Sequence, residues 1–227
     1  MSALSACSEA SLVLTGRPLA TLFSATGHFE REMQYLVNEA ARAIAKAADW
    51  QGLTKLCTFN GDGVAQSFPL PDDYDRMTLA GQVYSTRSTW PMRRVEDLNQ
   101  WLDFTITGVV GDPGCWIILG GAMQFLPVLA SGDSAKFYYV TNRIASGGKA
   151  TFSADSDTFL LSERLLTLAL VWRWRALKRL EYSEDLRNFE IAFSEEAGRD
   201  RGAKMLAVGR ARIPAGIGVA YPGVITP

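Results

Sequence analysis

The sequence predicts an α+β protein: a helical bundle built from N- and C-terminal helices, an inserted antiparallel β region, and an extended C-terminal arm. Three observations carry this. Apolar residues recur at helical spacing in two stretches, one before residue 52 and one after residue 155. Between them, short apolar runs alternate with turn-forming residues, as strands do. Beyond Arg212 no charged residue occurs, and the apolar residues take a strand's period of two. The predicted divisions are an N-terminal helical part (1–52), an inserted β-rich domain (53–154), a C-terminal helical part packing on the first (155–208) and the arm (209–227). There is no internal repeat.

At the N-terminus, ALSACSEASLVL predicts a short helix stopped by Gly16 and Pro18. A longer helix is expected over 27–50. Its apolar face is Phe29, Met33, Leu36, Ala40, Ile44 and Ala47, Glu39, Arg42 and Lys46 point away, and Gly52 is the expected stop. Residues 55–59 and 64–68 flank Asn60-Gly61-Asp62-Gly63, which reads as a hairpin turn. Further strands are expected over 77–85, 90–94, 116–119, 122–126 and 136–141, with Gly120-Gly121 as a second hairpin turn and a short helix over 95–101.

Helix resumes at about 157–161. Leu161, Leu165, Leu168 and Trp172 form one stripe and Leu166, Leu170, Trp174 and Leu177 another, so the helix is buried on two sides. Arg173, Arg175, Lys178 and Arg179 complement the carbonyl end of its dipole. Ser183 is the expected cap of the last helix, with Glu184 and Asp185 in its first turn and Leu186, Phe189 and Phe193 as its stripe. Glu195 with Arg199 and Asp200 with Lys204 are spaced as ion pairs, and Gly209 closes the helical part. Trp172 and Trp174, two apart, cannot share a face. One belongs in the core and the other against the β region or another subunit. With Arg173, Arg175, Phe189 and Phe193 they form the expected helix-packing or inter-subunit set.

Catalytic chemistry finds little support. A net charge of -1 gives no global pull toward nucleic acid or membrane. Cys7, Cys57 and Cys115 are odd in number and far apart, which suits a reducing compartment better than disulfides or a metal. The N-terminus lacks the pattern of a secretory signal, and the apolar run over 165–172 is far shorter than the ~20 residues of a membrane span, so a soluble protein is expected. His28 is the one histidine and has no partner motif. Asp72, Asp73 and Asp75 could hold a hard cation, but their Pro-rich setting reads as a turn. Asp155 and Asp157 read as residues at a helix start. NGDG lacks the Lys-Ser or Lys-Thr of a phosphate loop, and Arg93 and Arg94 beside Trp90 read as edge charge more readily than as a nucleic-acid contact. No cofactor or metal is expected. The alternative of another class is a carboxylate- or metal-dependent hydrolase or nucleic-acid-processing enzyme built on Asp72, Asp73 and Asp75.

The arm, RIPAGIGVAYPGVITP, carries more information. Burying its five alternating apolar side chains yields ~7–15 kcal/mol. Ordering its backbone costs ~1–2 kcal/mol per residue over about sixteen residues. Side-chain burial alone is therefore insufficient. The arm needs main-chain hydrogen bonds from a sheet edge or groove, reinforced where many copies act together.

The segment LLSERLLTLALVWRWRALKRLEYSEDLRNFEIAFSEEAGRDRG, preceded by FSADSDT, resembles the C-terminal helices of the head-to-tail adaptor (connector) proteins of tailed bacteriophages, and TFNGDGVAQSFPLPDDYDRM is similar to the segment by which such adaptors enter their β insertion. The resemblance implies a structural virion protein and not an enzyme. It implies copies of the chain in a ring, commonly of twelve, assembled in the host cytoplasm beneath the portal protein. Such a ring extends the channel through which viral DNA passes without sequence-specific binding, and offers a platform to tail (nozzle or hub) proteins, with no membrane involved. A C-terminal extension often grips the portal. By position and character the matching residues are Arg210, Arg212, Ile213, Ile217, Val219, Tyr221, Val224 and Ile225. A further alternative keeps the assembly role in a tail-completion or tail-tube protein that contacts no portal. Because a strongly basic lumen would hold the phosphates, the cations are expected to face neighbouring subunits or the portal.

Overall fold

The computed structural model describes residues 2–108 and 111–200. The chain is mixed α+β, with five α-helices and eight strands among these residues.

Helix α1 (Ala3–Thr15) starts on a reciprocal cap between Ser2 and Ser5 and ends at Gly16, whose φ of +73° suits a residue without a side chain. Its buried face is small: Ala3, Ala6, Cys7 and Ala10 let it lie close to α4 (Glu163–Leu177). Helix α2 (His28–Ala47) buries Met33, Leu36, Val37, Ala40, Ala41, Ile44 and Ala45. It ends ahead of the expected stop. Ala48 is already extended, and Gly52 sits in a 3-10 turn, Gln51–Leu53, that leads into the first strand. Helix α4 (Glu163–Leu177) packs against α1, α2 and α5 (Ser183–Asp200), with Leu165, Leu166, Ala169, Leu170 and Val171 buried. Burial on several sides is why apolar residues occupy most of its first half. Ser183 lies inside α5 instead of capping it. Its N–H donates to the Glu181 carboxylate, two residues earlier.

The strands form two four-stranded sheets. In the first, β8 (Ser134–Thr141) lies between β1 (Thr54–Asn60) on one side and both β3 (Tyr74–Met77) and β4 (Tyr84–Ser85) on the other, all antiparallel. The second runs β2 (Ser67–Pro69), β7 (Ala122–Leu126), β6 (Cys115–Leu119), β5 (Arg93–Arg94), and its β5–β6 pairing is parallel. The β6–β7 hairpin turns at Gly120-Gly121, both with positive φ, as expected of that dipeptide.

The hairpin expected across NGDG does not form. β1 pairs with β8, whereas β2 joins the other sheet. Asp62 Oδ1 accepts from the Val64 and Ala65 amides, Gly61 N–H donates to Asp133 O, and Gly63 N–H donates to Leu129 O. A Cβ on Gly61 would lie 2.3 Å from Ala130 O, so only glycine admits this approach. The turn is therefore docked on the 129–133 segment, which carries the chain from one sheet to the other. The single strand expected over 77–85 is two short strands, and the helix expected over 95–101 is α3 (Leu98–Thr107), capped by Asp97.

Phe59, Phe68, Phe125, Phe137 and Tyr139 fill the space between the sheets. Trp116 and Ile118 of β6 face that core, while Cys115 and Ile117 lie under Trp101 and Phe104 of α3. A strand covered on both faces reads as an unbroken apolar run, here CWIIL. β8 joins the inserted region to the helices: Tyr139 belongs to the inter-sheet core and Val140 to the helical one.

Candidate functional site

The two tryptophans of α4 make their ring contacts within the helical part. Helical rotation sends them to different neighbours. Trp172 meets Tyr182 and Phe189 at centroid distances of 6.3 and 6.2 Å, and the Arg173 guanidinium lies 4.9 Å over its ring. The aromatic row continues through Phe189 and Phe193 to Trp50, the last pair edge to face at 5.7 Å. On the other side, Trp174 packs edge-on against Phe29 at 5.8 Å, and its Nε1 donates to Glu32.

The cations around this row are engaged within the chain. Arg173 bonds Glu39 of α2 at 2.9 Å, Arg175 bonds Asp185 of α5 at 2.7 Å, and Lys178 bonds Glu32 of α2 at 2.5 Å. Burial alone would raise the Glu32 carboxyl, but bonds from Lys178 and Trp174 outweigh it and hold the group below the usual carboxylate range. These cations therefore stitch α4 to α2 and α5, in addition to standing near the helix end. Arg199 pairs with Glu196, one residue from the expected Glu195.

The carboxylates once open to a catalytic reading are crosslinks. Asp73 accepts from Lys55 Nζ (2.6 Å), Tyr139 OH (2.7 Å) and Thr141 Oγ1 (2.9 Å). Burial pushes its pKa up, but those three bonds bring it down to about 2. Asp75 reaches Lys46 at 4.0 Å instead, and Asp72 is exposed, so the three do not converge. Asp155 and Asp157 do not start a helix, since α4 begins at Glu163. Asp155 accepts from the Leu22 and Phe23 amides, which tethers the α1–α2 connection. Asp157 is buried; Lys149 Nζ at 2.6 Å and the Ser153 and Ala154 amides hold its pKa at about 2. His28 is exposed, with Nδ1 3.1 Å from Glu32. Arg93 and Arg94 rest over Phe104 and Trp116 at 6.0 and 5.9 Å, on the edge strand of the second sheet. Among the described residues no group of His, Cys, Asp and Glu is placed to hold a metal ion, and no helix is long and apolar enough to cross a membrane.

The arm residues Arg210, Arg212, Ile213, Ile217, Val219, Tyr221, Val224 and Ile225 lie outside the described residues, as does Lys204. The exit toward them is defined: Asp200 at the end of α5 accepts from the Gln51 amide at 2.8 Å, just ahead of β1. Two exposed apolar features escaped the sequence reading. Leu98, Leu102 and Ile106 form an i, i+4, i+8 stripe on the solvent side of α3, missed because the helix was expected to end at 101. Leu56 and Tyr138, cross-strand partners on β1 and β8, are exposed on the outer face of the first sheet.

Among the described residues these side chains act as fastenings between elements. What emerges is a stitched helical part carrying a β insertion and leading into an apolar tail. Among curated proteins none matches the chain. The profile of the family described as SU10 adaptor protein matches residues 8–216, spanning the helices at both ends and the insertion between them. The chain thus belongs to the SU10 adaptor protein family and is a bacteriophage head-to-tail adaptor.

Proposed function

We propose that the chain is the subunit of a ring, commonly of twelve, that sits beneath the portal, extends the DNA channel and presents a platform to tail proteins. The family match across 8–216 carries this reading. In it, residues 1–52 and 155–208 form the body, 53–154 project as the insertion, and 209–227 grip the portal through Arg210, Arg212, Ile213, Ile217, Val219, Tyr221, Val224 and Ile225. The aromatic row from Trp172 to Trp50 and the ion pairs of Arg173 and Arg175 keep that body rigid. With those cations neutralised inside each subunit, the duplex meets less fixed positive charge and can slide. The protein works in the virion and is assembled in the host cytoplasm.

The test is to mix the purified chain with portal rings and weigh the product by native mass spectrometry. A portal complex with a fixed number of adaptor copies is expected, and its loss when residues 210–227 are removed. Absence of binding, or binding indifferent to that truncation, overturns the docking role and favours a tail component that contacts no portal.

A further inference from the structure

Among the described residues, the first strand of the insertion has a strand on one side alone. β1 pairs with β8 along its full length, from Thr54↔Val140 to Asn60↔Ser134, and ends the strand order β1-β8-β3. Among the described residues no strand lies beyond it, so alternate N–H and C=O groups of a seven-residue strand face outward. Such an edge is a template for another strand unless charge, proline or a bulge blunts it. The strand TKLCTFN has no proline, and its one charge, Lys55, is drawn to Asp73 at 2.6 Å. Its outer face is apolar as well: Leu56 is 53% exposed and its partner Tyr138 57%. The inner face is already closed, with Cys57 at 7%.

The chain leaves the described structure beside this edge. Asp200 is bonded to the Gln51 amide, three residues before β1 begins. Residues 201–227 follow. The linker 201–212 spans up to ~40 Å when extended, against ~23 Å for a seven-residue strand. Then come Pro214 and Pro222, which have no N–H to give, and between them seven residues, 215–221, the length of β1. Ile217, Val219 and Tyr221 fall on one side of an extended chain here, and Gly216, Gly218 and Ala220 on the other.

We propose that residues 215–221 seat themselves on the free edge of β1 in the same chain before the adaptor meets its partner. The large side chains then cover Leu56 and Tyr138, where apolar surface remains to be buried, and the small ones cross the closed inner edge. A short tether supplies an effective concentration in the millimolar range, which favours the chain's own edge over a second copy's. An open edge and a sticky arm, each an aggregation hazard alone, cover each other until a partner displaces one of them. Release onto the portal rests on the docking role proposed above; the seat itself does not.

Amide hydrogen exchange of residues 54–60 in the intact chain tests it. The expected result is exchange at least about tenfold slower than in a chain ending at residue 208, and independent of protein concentration. The full-length variant Gly218→Pro removes an N–H in the middle of the arm segment without touching the described fold, and should expose β1 to the same degree. Equal exchange in all three proteins overturns the proposal. So does protection that grows with concentration alongside a doubled mass in light scattering, because the edge then belongs to a second copy's arm. Retention on portal rings, measured separately for the same proteins, decides the docking role: if the truncated chain is retained as well as the intact one, docking falls while the exchange result still stands.

Discussion

Asp73 and Asp157 show how a carboxylate that looks reactive in sequence becomes a fastening in the fold. Each has two or more donors, and each is held at about 2 against an ordinary 3.8. Because the folded-state value is depressed, the stabilisation is fully present above the unfolded value and is lost as pH falls through about 2. Urea midpoints are therefore expected to drop between pH 5 and pH 2.5, and an Asp73→Asn/Asp157→Asn double variant should flatten that slope. Replacing Asp157 alone by Ala strands buried amides and should cost ~1–3 kcal/mol at neutral pH, read by the same titration. The cysteines make a second case. Burial pushes the Cys7 thiol up to about 12, with Asp155 adding to the effect, and burial also raises Cys57 and Cys115. Thiolates are the reactive form, so at pH 8 the native protein should resist iodoacetamide at all three, and all three should label in denaturant.

Among the elements, α4 shows how far a pattern can be read. Two apolar stripes announced burial on two sides, and the helix does lie against α1, α2 and α5. Leu166 is fully buried among them. Leu166→Ala should lower the unfolding free energy by ~2–5 kcal/mol, measured by urea denaturation, because three rigid neighbours cannot all collapse into the gap. β1 shows the limit of such reading. Its run of strand-forming residues and the NGDG turn were both visible, yet the pairing went to a strand some eighty residues later. Local chemistry set the turn through Asp62; contacts with the 129–133 segment chose the direction in which the chain left it. The tryptophans of α4 follow the same logic: their divergence was legible, their destinations were not.

At the scale of the whole molecule, the described residues form two large apolar cores that meet on one strand, since adjacent residues Tyr139 and Val140 belong to different ones. Shared backbone of this kind couples the helical part to the insertion. Thermal unfolding followed by tryptophan fluorescence and by far-UV circular dichroism should therefore give coincident single transitions, and Val140→Ala should shift both together; two separate midpoints would show the parts to be independent.

The order of the helices and the β6–β7 turn came from residue spacing and type alone, because period, capping and turn chemistry act within a few residues. Sheet membership, the roles of Asp73, Asp155 and Asp157, and the partners of Arg173 and Arg175 were decided only by the tertiary structure. Each depends on which distant segments meet, and a hydrogen bond between residues 73 and 139 leaves no trace in the spacing of either.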